Sequence, residues 1–500
     1  MKALRLPVAL CLSLVLTAGY VPADEKGVNP KIQEMLGQVS EARIRAILEK
    51  LESFGTRNTM SDPDNPTRGV GAARNWILNE LKSYSPKLQV SFDKYRVKKQ
   101  GQRIFKDVDL YNVVAVLPGT KLPETQVIVS GHYDSLNLGT RPAGAAAGPG
   151  TDAAPGGGAG GGFGGGAAAL TPADYEKNAN LDAPGVCDDG SGTAAVMELA
   201  RVMSQYEFDK TLVFVTFAGE EQGLIGSSLF AEREHKENKT IEAVLNNDII
   251  GTDTAGNGRT GNSVVSIYSD ETMDSISQQL SRYVKEIGER YLPAMKVQTV
   301  FMGDRLGRGG DHTPFQWEGF AAVRVSTPNE IYANQHRATD LLANMSVPYT
   351  TKVAKVNLAV AASLALSPKP PIVMPEPRAA GAGRRGATDG GPAGAAPPAA
   401  GGRRPTPMIS RGGGYDAVLR WRAAGNEADI KGYSIVIRNT TSPFWEQEIY
   451  VGKVNTYTLK DVSIDDAKFG IKAIGVNGGE SLVTPYAYPP RQKVEIETVQ

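Results

Sequence analysis

The sequence predicts an α/β fold, a mostly parallel mixed sheet covered by helices on both faces, followed by a small C-terminal all-β sandwich. Three observations predict it. Apolar, β-branched runs alternate with amphipathic helical stretches from residue 31 to residue 367. A Pro/Gly/Ala-rich stretch over roughly 368–412 then interrupts the pattern, with the composition of an interdomain linker. Beyond it, over 413–500, come short alternating runs separated by turn residues, the pattern of a sandwich.

The chain opens on "MKALRLPVALCLSLVLTAGYVPADEKG", with Lys2 and Arg5, an apolar stretch, and Val21-Pro22-Ala23 before Asp24. This is the layout of a secretory signal peptide, residues 1–23, cleaved after Ala23. The protein is therefore expected to be exported, to a periplasmic or extracellular location. No later stretch is apolar enough for a transmembrane segment. Cys11 leaves with the signal, so Cys187 alone remains, and an exported chain without a disulfide must rely on its core or on metal. Lys+Arg and Asp+Glu are each 54, so nothing in the charge points to nucleic acid or to an anionic membrane. With 500 residues at 41% hydrophobic content, the chain has material for one catalytic-sized domain, 24–367, and something smaller.

Within 24–367, "KIQEMLGQVSEARIRAILEKLESF" and "GAARNWILNELKSY" have helical spacing, and "NVVAVLPG", "TQVIVSGHYDS" and "TLVFVTFAGEE" read as strands. The segment 143–169 is almost wholly Gly and Ala, cannot bury enough apolar area to offset its ordering entropy, and reads as a flexible surface insertion. "GTAAVMELARVMSQY", "DSISQQLSRYVKEIGERY" and "PYTTKVAKVNLAVAASLAL" return to helical spacing. In sheets of this kind ligands bind outside the carboxyl ends of the strands, so polar residues just after strands are the candidates for function.

Five such places stand out. "VIVSGHYDS" ends in His132 and Asp134, and "CDDGSG" carries Asp188 and Asp189 before a helix start. "FVTFAGEE" ends in Glu220 and Glu221, "AVLNND" in Asp248, and "IYANQHRATD" offers His336. Adjacent residues on an extended segment point to opposite sides, so the two glutamates cannot simply share one solvated face. Only four histidines occur, His132, His235, His312 and His336, and two of them fall at these places. Imidazole and carboxylate donors without thiolates suit zinc, manganese or iron. There is no HExxH helix, GxSxG elbow or phosphate loop. Cys187, flanked by these acids, is a poor candidate nucleophile.

The ordered set "GHYDS", "CDDGSG", "AGEEQGLIGS", "NND" and "QHRATD" resembles the co-catalytic di-zinc aminopeptidases, metallopeptidase family 28, over residues 40–367. Glutamate carboxypeptidases and glutaminyl cyclases are relatives in that family. The resemblance implies a zinc aminopeptidase-like fold and two zinc ions per chain. It implies His132, Asp188, Glu221, Asp248 and His336 as metal ligands, with Asp188 bridging, and Glu220 as general base to a metal-bridging water. It also implies a cis peptide between Asp188 and Asp189. The implied activity is that of an exported exopeptidase, an aminopeptidase acting on peptide substrates. The alternatives are a single-zinc glutaminyl cyclase-like acyltransferase and an inactive binding protein. Asp134 is expected to orient His132 through its second ring nitrogen. Asp189, and Asp311 and His312 of "RGGDHTPF", are expected to line or brace the site. The tyrosine that the better-known aminopeptidases carry near that element is missing, and Arg308 or Tyr332 is expected to take its part. The runs "AVLRWRAAG", "KGYSIVIRNT", "NTYTLKDV" and "FGIKAIGVNGGES" resemble a fibronectin type III domain, with Trp421 in its core. That resemblance implies a spacer or an adhesive module contacting a cell-surface polymer or protein.

Overall fold

The computed structural model describes residues 27–139, 170–305, 308–375, 409–411 and 416–486. The expected signal peptide, the 143–169 insertion and all of the 368–412 linker except 368–375 and 409–411 lie outside these residues. The described chain forms two compact units, one of Gly27–Lys369 with Gly475–Thr484, the other of Pro370–Ile474 with the chain from Pro485. The short stretch Gly475–Thr484, within the expected 413–500 sandwich, groups with the first unit.

The first unit begins with three helices, α1 (Pro30–Gln38), α2 (Glu41–Ser53) and α3 (Gly69–Tyr84). The stretch that reads as one helix over α1 and α2 is broken at Ser40, whose hydroxyl accepts the Arg43 amide at 3.3 Å and starts α2 afresh. In α2, Ile44, Ile47, Leu48 and Leu51 recur at helical spacing and are all buried. There follow β1 (Gln89–Val97), β2 (Val108–Leu117), β3 (Leu122–His132), α4 (Pro172–Asn178), α5 (Ser191–Met203), β4 (Lys210–Phe217), α6 (Ile225–Lys236) and β5 (Thr240–Asn247). The unit continues with β6 (Val264–Tyr268), α7 (Ile276–Tyr291), β7 (Lys296–Val300), α8 (His312–Trp317), β8 (Ala322–Ser326) and α9 (Val347–Ala365).

The strands form one sheet in the order β1-β2-β4-β3-β5-β8-β6-β7. The four central strands, β4, β3, β5 and β8, are mutually parallel. The antiparallel pairings fall to either side, β1 with β2, β2 with β4, and β6 with β8. Alternate residues serve opposite faces. Leu212 and Phe214 of β4 join the core under α1, α2, α5 and α9, whereas Val213, Val215 and Phe217 pack with Phe230 and Phe315 of α6 and α8. Strand β4 is buried at every residue, as a strand covered on both faces must be. After β3 the chain crosses one face through α5 to β4, then the other through α6 to β5, so β3 ends between two strands approached from opposite sides. That switch of direction opens a crevice at the carboxyl ends of the strands.

The second unit contains β9 (Ile372–Val373), β10 (Ser410–Arg411), β11 (Ala417–Arg422), β12 (Ile430–Asn439), β13 (Gln447–Gly452), β14 (Thr456–Leu459), β15 (Ala467–Gly475) and β16 (Thr484–Pro485). They make two four-stranded sheets around a core with Trp421 edge-on to Tyr433 at 5.6 Å. Among the described residues, no helix is long and apolar enough to cross a membrane.

Candidate metal centre

The crevice collects the residues that end the central strands. His132 is the last residue of β3, Glu220 and Glu221 follow β4, and Asp248 follows β5. Asp188 precedes α5, and His336 lies in the loop after β8. Ring and carboxylate atoms of His132, Glu220 and Asp248 lie within 4.8 Å of one another, as do those of Asp188, Glu221 and His336. Asp188 joins the two groups. Its Oδ1 is 3.3 Å from His132 Nε2 and its Oδ2 3.3 Å from His336 Nε2. His336 Nε2 is also 3.2 Å from Glu221 Oε2, and His132 Nε2 is 3.9 Å from Asp248 Oδ1 and from Glu220 Oε2.

Each donor is held by backbone geometry that the local sequence supplies. Gly219, at φ +73°, turns the chain after β4 so that both glutamates face the crevice. The Ala218 amide donates to Asn112 Oδ1 at 3.0 Å, and the Gly223 and Leu224 amides to the Glu220 carbonyl at 2.8 and 2.9 Å. Asp340 receives the Cys187 and Asp188 amides on its two oxygens at 3.0 Å each, and the Asp188–Asp189 peptide is cis. Arg57, fully buried, donates to the carbonyls of Tyr133 at 2.6 Å and Gly185 at 2.7 Å, fastening the two approaches to the centre. Ile249 holds φ +58°, a costly conformation for a β-branched residue. Its amide donates to Asp189 Oδ1 at 3.2 Å and its carbonyl accepts from Thr327 at 2.8 Å, and this turn directs Asp248 inward.

The surrounding acids differ in what they do. The carbonyl of Asp134, not its carboxylate, lies 3.1 Å from His132 Nδ1, while the nearest carboxylate oxygen is 3.6 Å away. That carboxylate instead accepts the Glu220 and Glu221 amides at 3.3 Å each and the Thr59 hydroxyl at 3.2 Å. Asp134 thus meets the second ring nitrogen of His132 through its backbone carbonyl, while its carboxylate holds the two amides. Asp189 accepts from the His132, Gly192 and Ile249 amides and so ties β3, α5 and the turn after β5 together. Asp311 precedes α8, and burial pushes its carboxyl up to about 7. His312 Nε2 is 2.6 Å from the Gly303 carbonyl, outside both donor groups. Arg308 lines the opening, whereas Tyr332 is 60% exposed and is not among the lining residues. Cys187 is buried, and burial raises its thiol well above the usual range, which suppresses a nucleophilic thiolate.

Two positioning residues escape a reading of the sequence. Asp340 closes the "QHRATD" stretch but acts on a loop some 150 residues away. Arg324, wholly buried in β8, pairs with Asp248 Oδ2 at 2.9 Å and with Asp304 Oδ2 at 3.0 Å. The available signal was an arginine inside an otherwise apolar strand, which can be buried only beside an acid.

The residues fit divalent cations. Four carboxylates share a buried crevice, and each buried charge costs several kcal/mol unless it is compensated. Burial pushes the carboxyl of Glu220 well above the usual range and raises that of Glu221. Asp188, despite burial, is held well below it by His132 and His336. Glu221 Oε1 is buried without a hydrogen-bond partner, an oxygen available to an ion. Two donors about 2.1 Å from one tetrahedral zinc lie about 3.4 Å apart, close to the spacings around Asp188.

Comparison with known proteins agrees with this chemistry. Residues 112–361 match the family described as peptidase family M28. The chain is 35% identical over 489 residues to a probable zinc metalloprotease of Pyricularia oryzae, covering 91% of this chain and 84% of that protein. It is 31% identical over 499 residues to another from Leptosphaeria maculans, covering 94% and 98%. Among solved structures, the LapA aminopeptidase of Legionella pneumophila aligns at 18% identity and a TM-score of 0.48, over 68% of this chain and 76% of that one.

Proposed function

This chain belongs to peptidase family M28 and is a zinc metallopeptidase, and from that premise we propose that it is an exopeptidase releasing N-terminal residues from peptides. One observation carries the reading. Asp188 stands between His132 and His336 at 3.3 Å from each, with Glu220 beside His132 at 3.9 Å. This arrangement supports two ions sharing Asp188, one held also by His132 and Asp248, the other by Glu221 and His336.

Zinc ions bound there would supply Lewis acidity to a carbonyl oxygen and lower the pKa of a water. The residues of the chain do the rest. Glu220 is the most exposed of the four acids, its side chain 14% accessible against 3% for Glu221, so it faces an entering substrate. Its carboxylate accepts a proton from the attacking water as that oxygen bonds to the scissile carbonyl carbon. It returns the proton to the amine nitrogen as the C–N bond breaks, a contribution of roughly 10²–10⁴-fold. Asp134 fixes the main chain on which Glu220 is mounted.

The crevice is lined by Arg103, Leu224, Arg308 and His336 from four separate segments. The layout of Lys2, Arg5 and the apolar run after them supports export. The test is hydrolysis of aminoacyl-nitroanilides beside N-blocked peptides, with metal content measured on the same sample. Cleavage of the free-amine substrates alone, at two zinc ions per chain, is the expected result. Cleavage of blocked peptides at equal rate, or a single ion per chain, would overturn it.

A further inference from the structure

Of the five residues assigned to the ions, His336 has the least packing to hold it. It lies in the loop after β8, and its side chain is 14% exposed against 6% for Asp188 and 3% for Glu221. Its backbone holds φ +55°, the left-handed region that is costly for a residue with a Cβ. A ring aimed at an ion from such a backbone must be kept there by its neighbours. Downstream, Asp340 fastens the loop to the amides of Cys187 and Asp188, and the Leu138 amide donates to the His336 carbonyl at 3.1 Å.

Upstream, the loop is fastened by side chains that the hydrolytic steps leave unused. Gln335, the residue before His336, donates from Nε2 to Glu330 Oε2 at 2.8 Å. Glu330 is buried and accepts Arg305 Nη1 on both oxygens, at 2.8 and 2.7 Å, so its carboxylate has little freedom to turn. Arg305 Nε in turn donates to Asp304 Oδ1 at 3.0 Å. Arg324 takes the other oxygen of Asp304 and pairs with Asp248. Charge alternates along this line from Glu330 through Arg305, Asp304 and Arg324 to Asp248, so each buried charge has an opposite neighbour. Arg308 Nη1 adds contacts of 3.4 Å to Glu330 Oε2 and to Gln335 Oε1. The line therefore runs from the turn after β5, which carries one ligand, to the residue next to another.

Resting on the zinc reading above, we propose that Glu330 and Gln335 are positioning residues for His336, a clasp anchored on Arg305 that holds the strained loop in its ion-binding conformation. The clasp touches neither ion nor substrate. It acts through the backbone, by fixing the side chain of Gln335 on one side of His336 as Asp340 fixes the chain on the other. Its loss frees the loop to leave the left-handed conformation and withdraw the ring, while His132 and Asp248 stay in place.

The test follows release of zinc from the loaded full-length protein to a colorimetric chelator. The same measurement is made on Gln335→Leu, Glu330→Gln, His336→Ala and the Gln335→Leu/His336→Ala double variant. Gln335→Leu removes the link but leaves the buried charges paired, so it decides the matter even if Glu330→Gln fails to fold. Removal of a residue that orients a metal ligand weakens ion binding about 10–100-fold. One zinc per chain should therefore leave at least about tenfold faster from Gln335→Leu and from Glu330→Gln, with the other leaving at the wild-type rate. On the His336→Ala background, adding Gln335→Leu should leave release unchanged, as expected of residues that act as one. Unchanged release from Gln335→Leu, equal acceleration of both ions, or effects that add in the double variant would overturn the assignment. The two readings fail separately, because zinc release is read without any peptide. A one-ion loss in a protein that cleaves no peptide rejects the exopeptidase reading and keeps the clasp, whereas cleavage with additive losses does the reverse.

Discussion

The carboxylate of Asp134 accepts the backbone amide of Glu220 at 3.3 Å, so the acid just after one central strand sets the position of the acid that follows its neighbour. Asp134→Asn keeps one acceptor oxygen but turns an NH2 donor toward one of the two N–H groups, that of Glu220 or that of Glu221. Loss of such supporting contacts around metal ligands costs about 10–100-fold in activity or ion affinity. We expect a fall of that size in kcat/KM with the fold intact by circular dichroism. Wild-type kinetics and wild-type zinc content together would show that the contact is incidental.

Glu220 and Glu221 are expected to separate cleanly. Glu220→Gln should keep its zinc while kcat drops by at least roughly 10²-fold, because an amide cannot accept the proton. Glu221→Gln replaces an anionic donor by a neutral one and should lose zinc, measured by elemental analysis. Equal zinc loss in both proteins would mean that the roles are assigned the wrong way round.

Arg324→Met should destabilise the protein by about 3–5 kcal/mol in urea unfolding, since it leaves Asp248 and Asp304 buried without their shared cation. Zinc affinity should fall as well, as Asp248 Oδ2 loses the partner that orients it. A change below about 1 kcal/mol would show that the pair is solvated rather than buried.

Chelation should lower the melting temperature, and added zinc should restore it. The four crevice carboxylates then repel one another without compensation, and at free zinc 100-fold above its Kd the stabilisation amounts to about 2.7 kcal/mol per ion. Differential scanning calorimetry before and after chelation decides this, and an unchanged midpoint would count against ion binding by these residues.

The sheet and the donors were legible because both depend on local pattern. A β-branched run such as "TLVFVTF" reads as buried, and a pair of glutamates directly after it has no solvated face to share. What stayed hidden was long-range. Nothing near Arg324 announces Asp304, nothing near Asp340 announces the amides of Cys187 and Asp188, and the break at Ser40 lies inside a continuous helical pattern. Asp134 illustrates the middle case. Its place beside His132 was readable, but which of its oxygens meets the ring depends on the turn after β4, which belongs to another part of the chain.

The donors of the centre are drawn from positions 132 to 336, and Asp188 must meet His132 through one oxygen and His336 through the other. No fragment shorter than that span contains both halves of the site. The two halves of the site meet only in a chain where β8 lies beside β5 and the loop after β8 carries His336 to Asp188, so cutting the chain anywhere between the two and letting the pieces part would dismantle the centre without touching a single donor.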